Sequence, residues 1–139
     1  MSIDINQEKT LFSLNTAHTT YQFFADDSGF LRHLYYGKWI HSFDMRYTEF
    51  YSDCGFSPNP GHIHLQRDFS LDTRPQEYTG CGIGDYRISS LSVSNGDGSY
   101  SADFRYVGFS VLNGRYPSPG LPASYDNGGE CETLRIDLK

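Results

Sequence analysis

The sequence predicts an all-β fold, an antiparallel β-sandwich, and three observations carry that prediction. Apolar and polar residues alternate with period two along most of the chain, which places alternate side chains on opposite faces of a strand. The composition is 16% aromatic, with 14 glycines and 6 prolines, a profile of strands joined by turns. Turn tetrads such as Asn95-Gly96-Asp97-Gly98 punctuate the alternation, because residues tolerant of positive φ allow the turns that match strand twist. The length, 139 residues, suits one domain.

The elements follow in chain order. The first forty residues read as a meander of short strands. Thr19, Tyr21, Phe23 and Ala25 share one parity and His18, Thr20, Gln22 and Phe24 the other, before Asp26-Asp27-Ser28-Gly29 supplies a turn. Alternation resumes from Phe30 to Tyr36, and Gly37-Lys38 breaks it before Trp39-Ile40. In 43–51 a short helical turn competes with extended chain. Residues 52–61 carry two prolines and two glycines and read as an irregular loop, as does 72–84. A strand is predicted from Tyr86 to Ser94, then the Asn95–Gly98 turn, then strands at Phe104–Leu112 and Thr133–Leu138. The intervening 113–130, rich in Pro and Gly, is long enough for a surface arm. About seven short strands, mostly joined locally, make a sandwich or part of one. Because the last strand reaches the final residue without a closing turn, the sheet is expected to continue in a longer parent chain.

Charge and cysteines narrow the function. Lys plus Arg is 11 against 17 Asp plus Glu, a net charge of −6, which disfavours phosphate backbones and hence nucleic acid as a partner. The N-terminal MSIDINQEKT lacks the pattern of a secretory signal, and no apolar run approaches the ~20 residues of a bilayer span, so no membrane partner is expected. Cys54, Cys81 and Cys131 are odd in number and widely spaced, which predicts a reducing, cytoplasmic setting rather than a disulfide framework.

The candidate chemistry is sparse. His62-x-His64 points two imidazoles to one face of a strand, with Asp68 a possible third ligand, but no histidine follows. A metal would therefore need His18, His33, His41 or a cysteine, and two surface histidines are the simpler reading; no cofactor is expected. No G-x-S-x-G elbow or Cys-His signature is present. Gly80, Gly82 and Gly84 in TGCGIGDY lack the order and strand-to-helix context of a phosphate loop and read as backbone bends. Glu77 and Asp85 are available as acid and base, but read better as acceptors that fix loops. The rings belong chiefly to core and cross-strand pairs.

One resemblance adds to this. The stretch SLDTRPQEYTGCGIGDYR (Ser70 to Arg87), followed by DFRYVGFSVLNGRYPSPGLPASY (Asp103 to Tyr125), resembles the N-terminal domain of microbial α-galactosidases of glycoside hydrolase family 36. HLYYGKWI (His33 to Ile40) and FSPNPG (Phe56 to Gly61) are similar in the same order, so the resemblance runs from Thr10 to Lys139. It implies a supersandwich of the galactose-mutarotase-like kind preceding a (β/α)8 barrel. The barrel supplies two aspartates, nucleophile and acid/base, for retaining hydrolysis of terminal α-galactosides of the melibiose and raffinose type. Residues 1–139 are then a partial N-terminal β-sandwich domain, itself non-catalytic, that supports homo-oligomer assembly and shapes a neighbouring subunit's galactose pocket.

The resemblance further implies that the loop Asp53 to Asp68 reaches the sugar. Asp53 accepts from galactose hydroxyls, Arg67 donates, and Phe56 stands where the family loop brings an aromatic, the only tryptophan being Trp39, in a strand. Departures fall at Arg74, where an apolar residue is usual, and at Cys81. The residues themselves suggest that Glu77 and Arg87 pair, that Pro75 fixes an extended entry, and that Tyr78 and Tyr86 bury their rings with satisfied hydroxyls. An autonomous carbohydrate-binding module and a purely structural oligomerisation domain are the alternative readings.

Overall fold

The structure is a computed structural model that describes residues 2–8, 10–41, 43–50, 69–122 and 131–139. Six strands are formed among them: β1 (Ser2–Asn6), β2 (Leu11–Asn15), β3 (Thr19–Ala25), β4 (Leu31–Lys38), β5 (Tyr106–Asn113) and β6 (Glu132–Leu138). β1 to β4 form an antiparallel meander in sequence order, and β5 and β6 pair as a separate two-stranded sheet. The expected all-β antiparallel architecture is what forms.

Register explains how the two sheets meet. Phe12 lies opposite Phe23 and Ile5, and Leu14 opposite Tyr21 and Ile3, so period-two alternation gathers these side chains on one face. Against that face lies the β5–β6 hairpin, where Phe12 meets Phe109 edge-on at 5.4 Å between ring centroids and Tyr106 at 6.1 Å. Phe12 and Phe23 stack at 5.1 Å. Arg105 ties the hairpin to the β3–β4 turn by donating to Ser28 O at 2.7 Å and lying 3.8 Å over the Phe30 ring. That turn is closed by Asp26, whose carboxylate accepts from Ser28 N and Phe30 N, while Gly29 takes φ +82°.

The opposite face of the meander is also buried, and apart from Leu11 and Phe24 at one end it is polar. Ser13, Asn15, Thr20 and Gln22 share it, each no more than 4% exposed. The chain after β4 lies across this face and takes its hydrogen bonds from it: Ile40 N donates to Thr20 Oγ1, Met45 N to Gln22 Oε1, and Gln22 Nε2 to Phe43 O. Residues Met45–Thr48 form the short helical turn expected there, capped by Asp44, whose carboxylate accepts from Arg46 N.

Three expectations are corrected. Tyr86–Ser94 is not a strand: Tyr86 and Ile88 are 78% and 94% exposed, and Thr79 holds the segment through Ser90 and Ile88 O instead. With no neighbouring strand to pair, alternation alone builds no ladder. The Asn95–Gly98 turn does form, closed by Asn95 N donating to Ser99 O, but between irregular stretches. Strand β4 also runs through Gly37-Lys38, so Trp39 lies just beyond it rather than within a strand.

Candidate functional site

The loop residues expected to reach sugar, Asp53, Phe56 and Arg67, lie outside the described residues, as do His62, His64, Asp68 and Cys54. What the structure shows is how the chain on either side of 51–68 is held. Arg32, at the start of β4, has no exposed surface. Its guanidinium pairs with Glu49 at 3.1 Å on the upstream side and with Asp26 at 3.5 Å, and its Nε donates to Pro75 O at 3.4 Å on the downstream side. A buried guanidinium is retained only where several acceptors surround it. Nothing in the alternation marked Arg32 as more than one position of a strand.

Downstream, Phe69, Ser70 and Leu71 are buried, and Phe69 packs with Phe30 at 5.9 Å while the Arg74 guanidinium lies 4.4 Å over its ring. Pro75–Glu77 adds to the sheet: His33 N donates to Pro75 O and Glu77 N to Leu31 O, so the proline sits on extended edge chain as expected. The glycine run that follows is built from bends. Gly82 and Gly84 take φ +77° and +95°, and a Cβ on Gly80 would stand 2.5 Å from Ala102 O across the Cys81–Ala102 bridge.

The predicted Glu77–Arg87 pair does not form. Arg87 instead forks onto Asp85, with Nη2 at 2.8 Å and Nε at 2.9 Å, and also donates to Arg74 O and Leu71 O. A partner two residues away, already fixed by the Gly84 bend, outcompetes one ten residues back. Burial pushes the Asp85 carboxyl up, but the bonds and charge of Arg87, with a further bond from Gln76, outweigh it and hold the carboxyl below the ordinary range. Asp85 is thus a loop-fixing acceptor.

Glu77 turns to the aromatic face. Its carboxylate accepts from the Tyr21 hydroxyl and lies 2.7 Å from His33 Nδ1. Burial, then the bond and charge of Glu77, raise the Tyr21 phenol well above its usual value, so this group stays protonated. The tyrosines of the same motifs depart from expectation: Tyr86 is exposed, and the half-buried Tyr78 packs edge-on against Phe104 with a hydroxyl that has no partner among the described residues. His18 is exposed at the β2–β3 turn and His41 lies against Trp39. Among the described residues no three metal-ligating side chains converge, and no helix is long and apolar enough to cross a membrane.

Fold and site together define an all-β sandwich module in which a buried arginine ties Glu49 and Pro75, on either side of 51–68, to one strand. Comparison with known proteins gives its family. The model of the glycosyl hydrolase family 36 N-terminal domain matches residues 29–139. A bifunctional alpha-galactosidase/sucrose kinase from Mediterraneibacter gnavus is 45% identical over 99% of this chain and 15% of its own length. An alpha-galactosidase from Geobacillus stearothermophilus is 36% identical over 99% of the chain and 19% of its own. Among solved structures, the galactosidase domain of an alpha-galactosidase-sucrose kinase superposes with a TM-score of 0.91 at 44% identity, covering 99% of this chain and 19% of that one. A Geobacillus stearothermophilus alpha-galactosidase in complex with raffinose gives 0.82 at 36% identity, over 92% of this chain and 18% of that one. The chain belongs to glycoside hydrolase family 36 and corresponds to its N-terminal domain. It spans less than a fifth of the length of these relatives.

Proposed function

We propose that this chain is the non-catalytic N-terminal part of an α-galactosidase, supporting a homo-oligomer and shaping a neighbouring subunit's galactose pocket. The observation that carries this reading is the Arg32 clamp, which ties Glu49 and Pro75 on either side of 51–68 to the rigid sheet. A loop that orients substrate must have fixed stems, since small displacements of a contact weaken positioning. On this reading Asp53 accepts from galactose hydroxyls, Arg67 donates to them and Phe56 offers a ring face. The acid/base chemistry belongs to the two barrel aspartates of the parent enzyme, which acts on α-galactosides of the melibiose and raffinose type. The raffinose bound in the Geobacillus relative supports that substrate class. The free thiols of Cys81 and Cys131 support a cytoplasmic setting.

The test is made in the full-length enzyme. Asp53→Ala and Arg67→Ala are each expected to raise KM for raffinose about tenfold, the loss of one charge-assisted hydrogen bond, with a smaller fall in kcat. Unchanged kinetics in both variants overturn the assignment of the loop to the pocket.

A further inference from the structure

Trp39 is the only tryptophan in the chain, and it is 47% exposed just past the end of β4. Its position is fixed from both sides. Its own N–H donates to His18 O at 3.0 Å, and the next amide, Ile40 N, donates to Thr20 Oγ1 at 3.2 Å. His41 then takes φ +51°, a left-handed conformation that a residue with a side chain adopts only where its surroundings impose it. That turn brings the imidazole against the indole, with ring centroids 3.7 Å apart and planes tilted by 37°. The backbone of Trp39 is therefore fixed to the sheet and its indole lies against a neighbouring ring, while the indole N–H meets no acceptor among the described residues.

Beside the indole lies an open cleft of about 330 Å³ lined by Ser2, Asn15, Thr16, Ala17 and Trp39. This volume lies within the range of small-molecule sites, about 300–1,000 Å³. Among the described residues no lining side chain is ionisable, in a chain where one residue in five is charged. A neutral lining offers nothing to an ion. One flat apolar surface ringed by amide and hydroxyl groups suits a ligand with an apolar face and a rim of hydroxyls. Asn15 and Thr16 build the wall rather than the rim: Asn15 is buried, its Nδ2 donating to Asp4 at 2.8 Å and its Oδ1 accepting from Thr20 at 2.7 Å, and Thr16 Oγ1 accepts from His18 N and Thr19 N, which leaves the Ser2 hydroxyl and the indole N–H to a ligand.

We infer that the cleft between Trp39 and the β2–β3 turn binds a neutral pyranoside, stacked on the exposed face of the Trp39 indole and hydrogen-bonded at the rim by the Ser2 hydroxyl and the indole N–H. The inference uses none of Asp53, Phe56 and Arg67, and only its choice of sugar class rests on the function proposed above.

Because Trp39 is the sole tryptophan, its emission reports directly on the cleft. Titrating the chain with raffinose is expected to give a saturable change in tryptophan fluorescence, with a dissociation constant on the order of 1 mM. The change should persist in the Asp53→Ala/Arg67→Ala double variant, which separates this site from the loop. Calorimetric titration of Trp39→Ala should show affinity at least about tenfold weaker, equivalent to an aromatic contact of about 1.4 kcal/mol, with Trp39→Phe restoring part of it. No saturable change in the unaltered chain up to roughly 50 mM raffinose, well above that constant, overturns the proposal whether or not the variants fold. So does a fluorescence change abolished by the double variant, or calorimetric affinity that Trp39→Ala leaves intact.

Discussion

The two faces of the β1–β4 sheet are buried by different physics. On one face Phe12 meets the rings of Tyr106 and Phe109 on β5 and stacks on Phe23, which in turn meets Tyr21, so the contact with β5 is ring on ring. On the other, Ser13, Asn15, Thr20, Gln22 and Arg32 are equally buried, yet what covers them is irregular chain held by hydrogen bonds to its backbone. Packing suits a regular partner whose polar groups are already paired within its own ladder. Irregular chain has unpaired amides and carbonyls that must be met one by one, and a polar sheet face meets them. The face that holds irregular chain is also the one that clamps the stems of 51–68. Ring packing against β5 and the anchoring of 43–49 and 75–76 thus fall on opposite sides of one sheet.

The largest effect should come from breaking the aromatic side. Phe12→Ala removes a fully buried ring touched by Phe23, Tyr106 and Phe109, and an expected loss of about 3–5 kcal/mol in urea unfolding would free the hairpin from the meander. On the polar side Gln22→Leu keeps the volume but strands Met45 N, Phe43 O and Ser13 Oγ. The expected loss is smaller, about 2 kcal/mol, and hydrogen exchange should localise it, with the Met45 amide deprotected while β5 and β6 keep their protection. Uniform deprotection of both sheets would show that the two sides are not separable.

Acid should sharpen the contrast further. Gln76, opposite Arg32 on β4, donates to Asp85, so the Asp85–Arg87 fork belongs to the polar side. The Asp85 carboxyl lies below its ordinary range in the folded chain, so the folded state binds its proton less readily than the unfolded state. The stability it contributes is present above the unfolded value of about 4 and lost as pH falls through the folded value. Asp85→Asn should flatten this acid limb in unfolding measured across that window, with Phe12→Ala leaving its shape unchanged.

How much of this was legible follows from which contacts are local. Strands β3 and β4, their Asp26–Gly29 turn, and β5 and β6 declared themselves through alternation and turn chemistry, because both signals act within a few residues. The 86–94 segment carried the same alternation and failed as a strand, because a strand also needs an edge to pair with. The polar face was invisible for the opposite reason: polar residues on the second parity of a strand normally face water, and here chain at Ile40, Phe43 and Met45 folds back to hydrogen-bond to them. Arg32 shared that fate. Arg87 chose Asp85 over Glu77 through a bend at Gly84 that spacing could not rank. Asp53, Phe56 and Arg67 rest on family resemblance, and the described structure speaks to their stems alone.

The function proposed for this sandwich is to orient substrate for chemistry performed by other parts of an α-galactosidase. Its most direct test is turnover of an aryl α-galactoside by the purified 139-residue chain, with the full-length enzyme as the positive control. The account predicts no hydrolysis above the uncatalysed rate by the chain alone. Turnover that remains with the chain through purification from contaminating enzyme would contradict it.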